Sequence, residues 1–332
     1  MMTYGFMMKK HKKIIVWGAK YETGHTHAFT HAAFVKGAQY LNEEVYWLDD
    51  TDNVDPSFFD DSLIVSEHWI ATTHPRSHRL PLRKSSTYVM NYLGNKKGTD
   101  NPGASYYLDR VGRIIDFRFA NNWSDKYWEY KYEPEKYIPI NDGVSHLERG
   151  SEYDNFYSMW ATDLMPNEIN FDDCLTPWKE PKHVFFSGTI REDNRDQFEP
   201  FIRACSENKM NFYFNDVWRQ VLTIESVKRA SLDAFLALEL RPKFHVDIGY
   251  KSCRAFKVIS YGQLGMTNSR AVYDFFDQEI AFHEDPYQLF HVASEMRNDP
   301  KTKDLVLNQM KKVKEKHTYA SRMKDIITAC EM

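Results

Sequence analysis

Residues 249–257, which read GYKSCRAFK, combine a glycine, a serine and three basic side chains in one short segment. The pattern of residues 244–248 before them predicts a strand, and the pattern of residues 253–261 predicts a short helix that begins near Ser252. A glycine permits a tight turn there, and the free N–H groups of a helix N-terminus attract anions. The Arg254 guanidinium adds paired N–H donors that can bind two phosphate oxygens, and Lys257 lies one helical turn further on the same face. We therefore predict an anion site, although both cations could instead be surface residues paired with acids of the next helix.

A second turn that could approach a ligand follows the apolar run 184–186, at Gly188 and Thr189. Neither this turn nor the turn after the first apolar run, at residues 18–24 (GAKYETG), matches a Walker loop or a G-x-G-x-x-G motif. An ordinary phosphate-loop ATPase and a dinucleotide oxidoreductase are therefore disfavoured. Any phosphate must be bound by another arrangement, and Arg254 is the best candidate for it.

Six of the 13 histidines lie between residues 25 and 78, and two of them, His25 and His27, stand on the loop after the first predicted strand. Histidine titrates near neutral pH, so either side chain could take a proton from a hydroxyl nucleophile. Glu67, at the end of another predicted strand, is a rival base. A His-x-His pair can also bind zinc, but no cysteine or carboxylate at the usual ligand spacing accompanies this pair, and we expect no metal.

Predicted strands and helices alternate along both halves of the chain. The apolar run 14–17, the helical pattern 29–41 and the run 45–48 form a βαβ unit, so the sheet should begin parallel. Residues 95–154 have no clear periodicity. Further helices are predicted at 198–205, 225–238, 253–261, 270–277, 286–297 and 302–329, and further strands at 63–65, 88–90, 184–186, 211–214, 244–248, 265–267 and 280–282.

The expected fold is α/β, with two doubly wound Rossmann-like domains that face a cleft. The first domain is predicted at residues 10–176 and the second at 182–310. The last helix, at about 310–330, could pack back on the first domain.

Composition narrows the range of partners and compartments. The 43 basic and 47 acidic residues leave a formal charge of −4, so the chain has no global attraction to nucleic acid, and we expect no nucleic-acid partner. No apolar run approaches the roughly 20 residues that cross a bilayer, so no integral membrane segment is expected. The four cysteines are scattered without a CxxC pair, which is typical of reduced thiols in the cytoplasm.

Several segments of the second half resemble one family. Residues 250–262 (YKSCRAFKVISYG) and 264–269 (LGMTNS) are similar to the donor site of GT-B glycosyltransferases, most of all the spore-protein-like branch (glycosyl transferases group 1-like) of bacteria and large DNA viruses. Residues 317–323 (HTYASRM) resemble the His-Thr-Tyr-x-x-Arg motif on the last helix of proteins of that branch, and residues 160–164 (WATDL) are also similar to the family. The resemblance covers residues 183–330 and reaches the first domain by architecture only.

This resemblance implies transfer of a sugar from a nucleotide-sugar donor to a hydroxyl of a glycan acceptor, without a cofactor or a bound metal. It implies a location in the cytoplasm, or in the host cytoplasm for a viral protein. The basic pair on the helix is similar to fucosyltransferase-like sites, which slightly favours a GDP-sugar. Lys257 departs from the pattern, because many GT-B proteins carry there a glutamate that is held to the ribose. The donor-binding residues implied are Gly188, Thr189, Tyr250, Ser252, Arg254, Lys257 and Asn268, and the candidate catalytic residues are His25, His27 and Glu67.

Two alternatives stay open at this stage. A nucleotide-sugar epimerase could use the same two-domain plan, and it would form an epimer without any acceptor. A non-catalytic nucleotide- or glycan-binding protein would bind nucleotide and turn over no donor.

Overall fold

The computed structural model describes residues 11–20, 26–72, 79–91, 93, 103–119, 134–192 and 194–332. The strands formed by these residues, numbered along the chain, are β1 Lys13–Trp17, β2 Val45–Leu48, β3 Ser62–Glu67, β4 Thr87–Asn91, β5 Arg113–Phe119, β6 Tyr137–Ile140, β7 Ser145–Glu148, β8 Asp154–Ser158, β9 His183–Gly188, β10 Asn211–Asp216, β11 Leu236–Ala237, β12 Met266–Thr267 and β13 Ala281–Phe282. The α-helices are α1 Thr26–Tyr40, α2 His68–Thr72, α3 Arg195–Glu207, α4 Ile224–Asp233, α5 Lys243–Asp247, α6 Cys253–Ser260, α7 Arg270–Phe275, α8 Pro286–Asn298, α9 Thr302–Lys316 and α10 Tyr319–Glu331. None of these described helices is both long and apolar enough to cross a bilayer.

The chain divides into two compact units. The first unit contains the described residues up to Phe119, together with Pro134–Ser158 and Arg322–Met332, and the second contains Met159–Ser321. The sequence predicts that the first domain continues to residue 176, whereas in the structure the second unit already begins at Met159. Most of α10 belongs with the first.

The first unit is built on an eight-stranded sheet in the order β2-β1-β3-β4-β5-β8-β7-β6. From β2 through β1, β3, β4 and β5 to β8, adjacent strands in this order are parallel, as the predicted βαβ unit requires, whereas β7 is antiparallel to both β8 and β6. Every residue of β3 and β4 is buried, which explains why these strands show as apolar runs in the sequence. Strands β6 and β7 have only four residues each, too few for a periodic signal, and they lie in the segment that sequence patterns could not resolve.

The second unit has a three-stranded parallel sheet in the order β10-β9-β11 and a separate parallel pair, β12 and β13. Its hydrophobic core joins this sheet to the helices, with Phe201 of α3 packed edge-on against Phe290 of α8 at 5.6 Å between ring centroids. The chain leaves the central strand β9 to form β10 on one side and later returns to form β11 on the other. In open α/β sheets, ligands bind beyond the carboxyl ends of the strands at such a reversal of strand order.

The predicted strand at residues 244–248 is wrong, because these residues lie in and directly after helix α5. The alternating Phe244, Val246 and Ile248 suggest a strand, but Pro242 at the N-cap fixes a backbone angle that favours helix entry. Gly249 has a φ of +62° and follows the end of this helix. Its conformation is that of a helix C-terminus, where glycine is preferred, and it does not connect a strand to a helix.

Two predicted helices have different bounds in the structure. The helix predicted at 225–238 ends at Asp233, and Leu236 and Ala237 form strand β11. The helix predicted at 302–329 is two helices, α9 and α10, separated at His317 and Thr318. At this break, the backbone of His317 accepts a hydrogen bond from Thr162 N at 2.9 Å, which a continuous helix would not allow.

Asp154 joins three parts of the first unit. Its carboxylate, on β8, accepts hydrogen bonds from Arg113 of β5 and from Arg149 at 2.7 Å. Arg113 also donates to the backbone oxygen of Cys330 in α10 at 2.8 Å. Burial alone would raise the pKa of Asp154, but the two guanidinium groups outweigh it, and the pKa lies below its usual value of 3.8.

We therefore predict that Asp154→Asn lowers the free energy of unfolding at neutral pH by about 1–3 kcal/mol, since both arginines lose a charged partner. The depressed folded-state pKa means that the stabilisation is present above the unfolded pKa of about 3.9 and is lost as the pH falls through the lower folded value. Urea denaturation at about pH 7 and about pH 3 should show a larger difference between variant and wild type at the higher pH. The exposed Glu152→Gln is the control, and equal effects of the two substitutions at neutral pH would contradict the prediction.

Candidate functional site

The polar groups of the second unit converge where β9 and β11 end. Gly188 is the last residue of β9, and Glu239 follows β11 by two residues. Helix α6 begins beside them, and its N-cap residue Ser252 accepts a hydrogen bond from Arg254 N at 3.1 Å. The Ser252 hydroxyl in turn donates to Glu239 at 3.0 Å, so the start of α6 is fixed to the end of β11. The helix that the sequence predicts near Ser252 is confirmed.

Arg254 lies across the end of β9. Its Nε donates to the backbone oxygen of Ser187 at 3.0 Å, and its guanidinium lies 4.5 Å from the centroid of the Phe186 ring. A Cβ on Gly188 would lie 2.3 Å from Nη2 of Arg254, so a larger residue at this position would displace the guanidinium. The structure thus brings together two residues that the sequence singled out separately, Gly188 and Arg254.

Glu239 holds this arrangement together, and the sequence analysis missed it. It is only 1% exposed, and its carboxylate accepts two hydrogen bonds from Arg241, from Nε at 2.6 Å and from Nη2 at 3.0 Å. The other charged contact is Arg254 Nη1 at 3.4 Å. We call Glu239, Arg241, Ser252 and Arg254 the arginine–glutamate cluster. The sequence does contain a Glu-x-Arg triplet directly after an apolar run, which could have indicated the cluster. The helix predicted at 225–238 is too long, and it hid the strand that ends before this triplet.

The two arginines of the cluster have different electrostatic surroundings. Burial alone would lower the pKa of Arg241, but the facing Glu239 carboxylate outweighs it and raises that pKa. Burial, together with the nearby Arg241 charge, lowers the pKa of Arg254 despite its contact with Glu239. Arginine stays protonated at any physiological pH, so both remain cations around one carboxylate. Lys251, which is also buried, has a pKa that burial lowers to about 8.

Asn268 is buried and connects the cluster to two neighbouring elements. Its side-chain oxygen accepts from Arg241 N at 3.0 Å, and its side-chain nitrogen donates to Arg241 O at 2.9 Å. The same nitrogen lies 3.1 Å from Gln197 Oε1 on α3. These bonds fix the backbone that carries Arg241, so Asn268 positions the cluster.

Lys257 is in an ion pair. Its Nζ lies 2.7 Å from Asp163 Oδ2, and Tyr261 donates to the other oxygen of Asp163 at 2.8 Å. Burial alone would lower the pKa of Lys257, but Asp163 outweighs it and raises the pKa. The pair fixes α6 to residues 160–164 (WATDL), a segment that also carries the resemblance to GT-B glycosyltransferases. The predicted role of Lys257 beside the nucleoside stays a prediction.

The remaining predicted donor residues lie on either side of the cluster. Thr189, directly after Gly188, accepts a hydrogen bond from Trp218 Nε1 at 3.1 Å. Tyr250 lies on the other side, where the Arg241 guanidinium is 5.6 Å from the centroid of its ring. The ring of Tyr250 also stacks on His245 at 4.4 Å between centroids.

The candidate bases belong to the first unit. His25 lies outside the described residues, so its role and the expectation that the His-x-His pair binds no metal stay predictions. The backbone of His27 is in the first turn of α1, but its side chain is not among those that the structure describes. Glu67 is the last residue of β3, is buried, and lies opposite Asn91 of β4.

Comparison with known proteins identifies the fold. No protein-family model and no curated protein matches the chain. A solved structure of an alpha-glucosyltransferase (AGT) in complex with UDP is similar with a TM-score of 0.53 and 11% sequence identity, over 95% of this chain and 99% of that one. An alpha-glucosyltransferase in complex with UDP and a 13-mer DNA containing a HMU base has a TM-score of 0.50 and 10% identity, over 96% of this chain and 100% of that one.

The fold is therefore α/β of the GT-B type, with two Rossmann-like units, as the sequence predicts. Sequence identity of 10–11% shows the fold alone. The spore-protein-like branch stays a prediction.

The arginine–glutamate cluster makes a direct prediction about stability. Glu239→Gln keeps the size of the side chain but removes the charge that faces two guanidinium groups, so we expect a loss of about 2–4 kcal/mol in the free energy of unfolding. Thermal and urea denaturation measure the loss. Glu284→Gln, at an exposed position of the same unit, is the matched control. A Glu239→Gln variant as stable as the wild type would show that the carboxylate does not hold the two arginines.

Proposed function

We propose that this protein is a glycosyltransferase that moves a sugar from a nucleotide-sugar to a hydroxyl of a glycan acceptor. The observation that carries the proposal is the position of Arg254, held by Glu239 and Ser187 against Gly188 and beside the N-terminus of α6. This is the end of the sheet where ligands bind in open α/β folds. The GT-B fold and the two UDP-bound neighbours support the same reading.

The chemistry asks the site to stabilise a departing diphosphate. The bond between the anomeric carbon and the β-phosphate oxygen breaks, a bond to the acceptor oxygen forms, and the acceptor proton passes to a base. Arg254 and the N–H groups at the start of α6 would face the negative charge that grows on the leaving group. Glu239 neutralises only one of the two arginines in its cluster, so a net positive charge is left for the phosphates.

The finer features of the donor and the compartment are part of this proposal. Gly188, Thr189, Tyr250 and Ser252 would surround the donor, while Asn268 acts through the backbone of Arg241. A GDP-sugar is slightly favoured on the sequence resemblance. We also propose a cytoplasmic location, in the host if the protein is viral, and metal-independent transfer. Neither the epimerase nor the non-catalytic alternative is favoured by a specific observation.

We propose a glycan acceptor because the sequence resemblance implies one. A formal charge of −4 gives the chain no general affinity for nucleic acid. One of the two structural neighbours contains bound DNA, so DNA belongs in any panel of acceptors tested. His25, His27 or Glu67 would take the acceptor proton if the reaction inverts configuration at the anomeric carbon.

We predict that Arg254→Ala weakens the binding of nucleoside diphosphates by roughly tenfold or more and lowers turnover by about 100-fold, since charge-assisted contacts to the leaving group are lost. Calorimetry with UDP, GDP, dTDP and CDP, followed by transfer assays with their sugars, measures both effects. Arg254→Lys should recover part of the loss, because lysine keeps the charge without the planar fork. Arg270→Ala, an exposed arginine paired with Asp274, is the control. Normal binding and transfer by Arg254→Ala would reject the proposal.

The candidate bases are tested separately from the donor site. We predict that one of His25→Ala, His27→Ala and Glu67→Gln lowers kcat by about 100-fold or more while donor affinity stays unchanged, because a general base acts on the acceptor. Single-turnover rates over a pH series provide the measurement. His291→Ala, in α8 of the second unit, is the control. Full activity of all three variants would remove these residues from the mechanism.

A further inference from the structure

Trp218 is a large aromatic residue that is 55% exposed directly beside the proposed donor site. It follows β10, the strand that pairs with β9. Its backbone N–H donates to Asp216 Oδ1 at 3.0 Å, and its indole N–H donates to Thr189 at 3.1 Å. Hydrogen bonds of the Trp218 backbone and of its indole N–H thus fix the ring in place, although more than half of the residue is exposed to solvent.

Several contacts place this ring next to Gly188. Asp216 pairs directly with Gly188 in the register of β10 and β9, and Val217 N donates to Gly188 O at 3.3 Å. Gly188 in turn is the residue against which the Arg254 guanidinium rests. If the phosphates of a ligand contact Arg254, the groups bonded to those phosphates would therefore lie close to the indole.

The side chains around the ring are those that bind hydroxyl groups. The Asp216 carboxylate can accept hydrogen bonds, and Arg219 lies 3.4 Å from its Oδ2. The Arg191 guanidinium lies 5.7 Å from the centroid of the Trp218 ring. An aromatic face with polar neighbours suits a pyranose, which presents C–H groups on its face and hydroxyl groups at its edge.

We propose that Trp218 stacks against the pyranose ring of the donor sugar and that Asp216 accepts hydrogen bonds from its hydroxyl groups. This inference rests on the proposed function. The transferred sugar and the ribose are both bonded directly to the diphosphate, whereas the base lies beyond the ribose. Of the two sugars, the pyranose presents the broader C–H face to an indole beside Gly188. Trp218 is then a residue that determines which sugar is transferred.

The test compares each free nucleotide with its sugar derivative. Calorimetry uses the pairs UDP and UDP-glucose, GDP and GDP-mannose, and dTDP and dTDP-glucose. For the pair that the wild type binds, we expect Trp218→Ala to lower the affinity for the sugar nucleotide by roughly tenfold, because the stacked sugar loses its partner. The affinity for the free nucleotide should stay within about twofold of the wild-type value. Trp218→Phe keeps a ring and should recover most of the affinity. Tyr213→Ala, which removes a 49% exposed aromatic side chain from β10, the strand before Trp218, should change neither affinity.

The possible outcomes separate this inference from the proposed function. Equal weakening of nucleotide and sugar nucleotide would mean that Trp218 contacts the nucleoside or merely supports Thr189, and it would overturn the inference. No change in either affinity, or a change only in the KM of the acceptor, would overturn it as well. In all of these cases a strong effect of Arg254→Ala would leave the proposed function standing. A wild-type protein that binds no nucleotide of the panel would overturn both.

Discussion

The contact between the buried Glu239 carboxylate and two guanidinium groups is the interaction on which the proposed site depends. A carboxylate that is removed from water is stable only when opposite charges and hydrogen bonds replace its hydration. Arg241 supplies two of these bonds, Ser252 supplies one, and Arg254 completes the set. The same contact holds Arg254 against Gly188, so the stability of the cluster and the direction of the proposed anion-binding group are one property of the fold.

Long-range contacts fix the elements that carry this cluster. Strand β11 has only two residues, and Asn268 holds the backbone that follows it through two hydrogen bonds to Arg241. Helix α6 is fixed at its start by Ser252 and further along by the ion pair of Lys257 with Asp163. In the proposed reaction, such a preorganised set of donors would stabilise the developing charge without rearrangement.

Local patterns in the sequence predicted the parts of this structure that depend on local physics. The buried strands of the first unit appear as apolar runs, and the start of α6 at Ser252 follows from its capping chemistry. The strand predicted at 244–248 is wrong because a short alternating pattern also fits one turn of helix after a proline. Glu239 was missed because its partners come from tertiary contacts, and a helix predicted over 225–238 hid the short strand before it.

The most direct measurement of the central claim is a crystal structure with a bound nucleoside diphosphate. We expect phosphate oxygens within hydrogen-bond distance of the Arg254 guanidinium and of the first N–H groups of α6, with Glu239 still in contact with both arginines. A nucleotide bound away from the ends of β9 and β11, or an Arg254 side chain turned away from the phosphates, would contradict it.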